Sequence, residues 1–169
     1  MSLSDRSMET KVHLAQVNVA RLKAPLESPL LAGFVARLDE INALADESPG
    51  FVWRLQGDAG NATYLRPFDD DRILFNMSVW ESVEALKAYV YGSRHRELLR
   101  QRSEWFARLE GAYAALWWVS EGHRPSVDEA RQRLATLSLK GPTPYAFSFQ
   151  EVFPPDASRA GHEDAPEAG

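Results

Sequence analysis

Two periods run through the chain. KVHLAQVNVARL (11–22) alternates with period two and predicts a strand. Val12, Leu14, Gln16, Asn18 and Ala20 share one face; His13, Ala15, Val17 and Val19 share the other. Two amides among apolar groups suit a face that meets a polar cavity or solvent. Ser28-Pro29 then opens a helix, serine as N-cap and proline in the first turn. Its stripe is Leu31, Phe34, Leu38, Ile41 and Ala45, and Ser48-Pro49-Gly50 stops it. FVWRL (51–55) reads as a short strand, 56–71 as a polar, turn-rich loop, and ILFNMSVW (73–80) as a strong strand. Ser82 caps a helix over about 83–91, and Gly92-Ser93 resets the chain into a second one. YAALWWVS (113–120) is a strand and GHRPS (122–126) a turn. Ser126 and Glu129 form a capping-box pattern for a helix to about 138, and AFSFQEVF (146–153) alternates as a final strand.

The order is β-α-β-β-α-α-β-α-β. It predicts an α+β fold, a ferredoxin-like βαββαβ core with extra helices and a C-terminal strand. Residues 12–153 are expected to form one domain, with 1–11 flexible and the polar tail 154–169 disordered. Helices on one side would leave a second sheet face uncovered, the one carrying Trp and amide residues, and a second subunit packing sheet against sheet is the simplest cover.

One stretch breaks the pattern. Projected as a helix from Ser93, the residues Leu98, Leu99, Trp105, Phe106 and Leu109 gather on one face. His95 and Arg102 fall in the middle of it. A histidine there can be a base near neutral pH or a ligand, or a hydrogen-bonded helix-start residue. An arginine there needs a partner, since burying an unpaired guanidinium costs several kcal/mol. That partner is either a ligand anion or a protein acid. Arg94, Arg96 and Arg100 point elsewhere, towards solvent.

Composition narrows the classes. A net charge of −5 argues against nonspecific nucleic-acid binding. The absence of cysteine excludes disulfides and thiolate chemistry and fits a cytoplasmic location. MSLSDRSMETK has no apolar core of a signal peptide, and no apolar run approaches the roughly 18 residues of a membrane span. Five Trp, five Tyr and eight Phe supply pocket or core aromatics. Asp69-Asp70-Asp71 reads as a solvated loop, and no metal site is expected.

WESVEAL after a strand, and SRH opening the next helix, resemble the dimeric α/β-barrel superfamily that includes the antibiotic-biosynthesis monooxygenases. GHRPSVDEA, GPTPYAFSF and Trp117-Trp118 resemble one branch of it, small bacterial proteins catalogued as a domain of unknown function. The resemblance covers roughly 12–153. It implies a ferredoxin-like subunit, a homodimer built through the sheets, and a pocket between sheet and helices. It implies activities ranging from cofactor-free monooxygenation of aromatics to haem degradation, peroxidation and lactone isomerisation. Haem-degrading members carry a first-strand asparagine, a later aromatic and a ligating histidine. Asn18 and Tyr89 match the first two, but Leu99 falls at the ligand position, with His95 one turn earlier. No cofactor is therefore expected, with haem on His95 the alternative.

The site expected from these readings has His95 as acid/base and Arg102 as anion holder. Asn18, Asn76, Trp80, Tyr89, Trp105 and Phe106 would shape a pocket for a small hydrophobic or aromatic ligand. Asn76 and Trp80, which share a strand face with Ser78, could equally be interface residues. Trp117 and Trp118 point to opposite sides of one strand, so at most one can line a given cavity. His123 is expected to brace its turn, and His13 to be structural. The reading is an oxidoreductase or isomerase, against a non-catalytic ligand-binding or structural dimer.

Overall fold

A computed structural model describes residues 11–56, 72–107 and 113–155. The long first strand is present as β1 (Val12–Leu22). Ser28 caps a 3-10 turn, Pro29–Leu31, its hydroxyl accepting from the Leu30 N–H at 3.2 Å, and this turn feeds α1 (Ala32–Glu47). β2 (Phe51–Arg54) and β3 (Ile73–Trp80) follow. Ser82 caps α2 (Val83–Val90) by accepting from the Ala85 N–H. Two short helices, α3 (Ser93–Leu98) and α4 (Arg102–Trp105), lead to β4 (Phe106–Ala107). The described chain continues with β5 (Ala114–Ser120) and α5 (Val127–Lys140).

The strands form one antiparallel sheet in the order β2-β3-β1, with β5 and the two-residue β4 pairing along the far edge of β1. β1 and β2 run parallel with β3 between them. That split arrangement is the ferredoxin-like one. Leu14 pairs with Trp80, Gln16 with Ser78, and Asn18 with Asn76, so the amides meet across the two central strands.

Each sheet face has its own core. The even-numbered β1 face carries two apolar clusters. One joins Leu14, Trp80 and Leu116 to Ala45, Val83, Leu86 and Phe147; the other joins Leu22 to Leu31, Phe34 and Trp105. The odd face packs Ala15, Val17, Phe75, Met77, Val79 and Trp117 against Ala130, Leu134 and Leu137 of α5. The chain's own last helix thus packs over this odd face. Leu134 and Leu137 are each worth about 1.5–3 kcal/mol in this position relative to exposure.

Two expected elements differ. The helix projected from Ser93 through Leu109 breaks after Leu98. Arg100 N–H bonds Glu97 O, and Arg102 N–H bonds Leu99 O, both three residues back, which tightens the turn and redirects the chain. The final strand, 146–153, is reduced to isolated bridges, Leu116 to Phe147 and Ser148 to Glu151. Proline neighbours and the fold-back onto Trp118, whose indole donates to the Phe153 carbonyl at 2.8 Å, replace a regular ladder. The loop 56–71, beyond Gln56, and Leu109 lie outside the described residues.

Candidate functional site

β1 and β3 place a polar ladder midway along the even face. Gln16 and Ser78 are both 7% exposed. The Gln16 amide donates to Ser78 Oγ at 2.7 Å and to Asn76 Oδ1 at 3.0 Å. Asn18 Nδ2 donates to Gln16 Oε1 at 3.1 Å and approaches Asn76 Oδ1 at 3.4 Å. Trp80 Nε1 donates to Ser78 Oγ at 2.8 Å, closing the inner end. Exposure then rises outwards: Asn18 is half-buried and Asn76 exposed. Asn76 Oδ1 is satisfied twice from within, so its own N–H donors are free to face outwards. The Asn18 carbonyl stands beside them as an acceptor. Leu14 and Trp80 bound the ladder on one side, Leu22 and Leu74 on the other. The result is an uncharged polar floor between two apolar walls.

An aromatic stack climbs from the same face. Phe51 meets Trp80 edge-on at 5.4 Å, Trp80 stacks on Tyr89 at 5.1 Å, and Tyr89 meets His95 edge-on at 4.7 Å. The Tyr89 hydroxyl donates to the Ile41 carbonyl at 3.3 Å. Burial pushes the Tyr89 pKa up to about 12; Arg54 opposes the shift and Asp46 adds to it. Tyr89 is thus a neutral spacer. His95 is half-buried, and its Nδ1 is buried with no hydrogen-bond partner among the described residues. Burial lowers its pKa below 6.5, the nearby Val90 carbonyl works against that, and Arg102 adds to the lowering. His95 is therefore a neutral imidazole at pH 7.

Arg102 answers the question its position raised. It is exposed, because the break before α4 turns it out of the apolar face on which a continuous helix would hold it. It has no buried partner to find, and it reaches His95 only as a field. Trp80 and Trp105 are 0% and 2% exposed, so both back the site from within the core and present no surface. Trp105 packs on Phe34 at 5.5 Å and so tightly over Gly33 that a Cβ there would sit 3.3 Å from its ring. Phe106 is half-buried in the same cluster. Leu99, at the position implied for a haem ligand, also lies there, packed among apolar side chains. The residues present do not fit that ligand set. Among the described residues no group of three or more His, Asp or Glu is placed to hold a metal.

A groove of about 400 Å³ lies elsewhere, between the α1–β2 turn and α2, lined by Ser48, Pro49, Gly50, Glu81, Ala85 and Tyr89 among others. It shares only Tyr89 with the arrangement above. Its open shape and two glutamates suit solvent better than an aromatic ligand. The amide floor carries the stronger case, because buried hydrogen bonds orient its groups.

Gln16 and Ser78 are the positions of this polar ladder that the site expectation omits. Their alternation with Asn18 and Asn76 is visible in the sequence; the register that joins them across strands is not. The two tryptophans of β5 both pack: Trp118 on Phe147, with its indole donating to the Phe153 carbonyl at 2.8 Å, and Trp117 with its indole donating to Glu129 at 2.9 Å. His123 braces its turn as expected, its Nε2 lying 2.8 Å from Glu129.

No helix among the described residues is long and apolar enough to cross a membrane. No curated protein matches the chain. Among solved structures it is similar to a mutant form of SnoaB, a cofactor-independent oxygenase from Streptomyces nogalater. Identity is 15% and the TM-score 0.44, over 66% of this chain and 95% of that one. NE2512, a protein of unknown function from Nitrosomonas europaea, is 12% identical with a TM-score of 0.42, over 70% and 97%. PA3566 from Pseudomonas aeruginosa is 11% identical with a TM-score of 0.40, over 70% and 99%. A family model described as a domain of unknown function, DUF3291, matches residues 13–163, and the chain belongs to that family.

Proposed function

We propose that this protein binds a small, hydrophobic, aromatic molecule over the amide floor of β1 and β3 and acts on it as a cofactor-free oxidoreductase or isomerase. The observation that carries the reading is the continuous path from Asn76 and Asn18 through Gln16, Ser78, Trp80 and Tyr89 to His95. It ends in a free amide edge at one end and a neutral imidazole at the other. The floor takes the polar edge of the ligand. Its paired donor and acceptor complement a carbonyl beside a hydroxyl, and it carries no charge to demand a phosphate or a metal. His95 takes a proton from an acidified C–H, leaving a carbanion delocalised into the ligand ring. Reprotonation at another carbon gives an isomer. Alternatively the carbanion gives one electron to dioxygen, and the resulting radical pair joins through a new C–O bond and takes up the proton as a hydroperoxide. Loss of water, with the second hydrogen leaving the same carbon, then makes a carbonyl and accounts for both oxygen atoms. Arg102 adds a peripheral positive field that favours the anion and adds to the lowering of the His95 pKa that burial chiefly causes. Trp105 and Phe106 close the far end of the floor. The reaction would run in the cytoplasm.

The test is oxygen uptake with a hydroxylated anthrone, whose ring C–H is acidic and whose carbonyl lies beside a hydroxyl. Uptake above the buffer rate is expected, reduced about 10²-fold or more by His95→Gln. Equal rates with and without His95 would remove the base. A structural role alone is favoured by one fact, that Trp80 and Trp105 are fully packed. In that case anthrone binding and uptake would both be nil.

A further inference from the structure

We infer that Ala114 sets the size of the ring system that the amide floor accepts. The inference rests on the floor being the binding surface. α5 seals the odd face from within the chain, so the even face is the side of the sheet left for a ligand. On that face the floor has a different neighbour at each flank. Towards β2, Arg54 pairs in register with Ser78. Its guanidinium meets Asp46 of α1, Nε to Oδ1 at 2.8 Å and Nη2 to Oδ2 at 3.3 Å. This charged strut between sheet and helix closes the β2 flank to the apolar body of a ligand.

The β5 flank is open. Register puts Leu116 beside Gln16 and Ala114 beside Asn18. Strand alternation keeps all four on the even face. Leu116 is 4% exposed and fills the inner row. Ala114 is half-buried and carries only a methyl group. The Asn18 amide opens the same way. Its Nδ2 donors are turned to Gln16 Oε1 and Asn76 Oδ1, inwards and towards β3, so its carbonyl oxygen lies on the opposite side, towards β5. Adjacent strands stand about 4.8 Å apart, roughly the width of one aromatic ring. A single ring thus rests on the amides alone, whereas fused rings lying across the sheet reach Ala114. A branched side chain at that position would rise into their plane, as Leu116 does one row deeper.

Calorimetric titration of the full chain, without oxygen, tests this with two probes. One is a hydroxylated anthrone; the other is ortho-hydroxyacetophenone, which carries the same carbonyl beside a hydroxyl on a single ring. The wild type is expected to bind both. Ala114→Leu should weaken anthrone binding by roughly 10-fold or more and leave the single-ring probe within about twofold. Retained binding of the small probe shows that the floor still folds. Ala114→Val, β-branched and suited to a strand, should give a smaller loss of the same kind, and it carries the test if the leucine variant does not fold. Anthrone affinity unchanged in both variants would overturn the inference and leave the floor reading intact. Equal loss of both probes would also overturn it, since no size limit would then act at Ala114. A wild type that binds neither probe would overturn the floor reading itself and the inference with it.

Discussion

Gln16 decides the chemistry of the floor. It is a buried amide whose donors are both used, on Ser78 and Asn76, and whose carbonyl is used by Asn18. Replacing it by leucine leaves buried polar neighbours unpaired. Gln16→Leu should therefore cost about 1–3 kcal/mol in urea unfolding, whereas exposed Asn76→Ala should stay within about 0.5 kcal/mol. The contrast separates a scaffold amide from a ligand-facing one. At His95 the sign follows from its lowered pKa. Between the folded value and 6.5 the unfolded chain holds more proton than the folded one. His95 thus costs stability as pH falls through 6.5 and costs nothing above it. Thermal melts across that range should show the wild type losing more stability on acidification than His95→Gln. Parallel curves would mean the imidazole is not desolvated. Both amides and the histidine are legible as polar residues on apolar faces. Arg102 misleads for a physical reason: the 100° projection assumes an unbroken helix, and nothing in ELLRQRSEW signals the turn after Leu98.

At the scale of elements, caps and stops read true. Ser28, Ser82 and Ser126 all cap, and Gly50 ends its turn with a φ of 84°. A Cβ on Gly50 would also lie 2.5 Å from the Ala85 Cβ, where β2 enters against α2. Gly50→Ala should cost more than about 1 kcal/mol, measured by denaturant melt, from backbone strain and clash together. The capping box at Ser126 is only half of one. Its serine accepts from the Glu129 N–H, but the Glu129 carboxylate turns to Trp117 and His123. Burial would raise the Glu129 pKa; the hydrogen bonds from His123 and Trp117, and the charges of His123 and Arg133, outweigh it and leave it below 4.5. Its stability contribution is thus present above 4.5 and lost as pH falls through the lower folded value. Glu129→Gln should remove that acid-side loss from the α5 seal, as read by thermal melts below pH 4.5. The segment 146–153 misleads because alternation alone cannot show whether an edge offers a full ladder. Phe147 bridges Leu116, and the rest folds back onto Trp118.

For the whole molecule, the order of periods leads to the ferredoxin-like sheet, and register then joins four polar residues that are scattered in sequence. The cover on the second face is not legible. An amphipathic helix at 127–140 shows an apolar stripe but not which surface receives it, and a partner subunit satisfies the same stripe. The two faces consequently differ in kind: one sealed by α5, the other carrying a polar floor open at Asn76. That asymmetry is the central claim. Its most direct test is a nitrogen–proton NMR titration with a hydroxylated anthrone, following side-chain N–H signals. The account predicts saturable shifts of the Asn18 and Asn76 amides, with the Trp117 indole signal on the opposite face unmoved. Shifts at Trp117 with the two amides unchanged would contradict it.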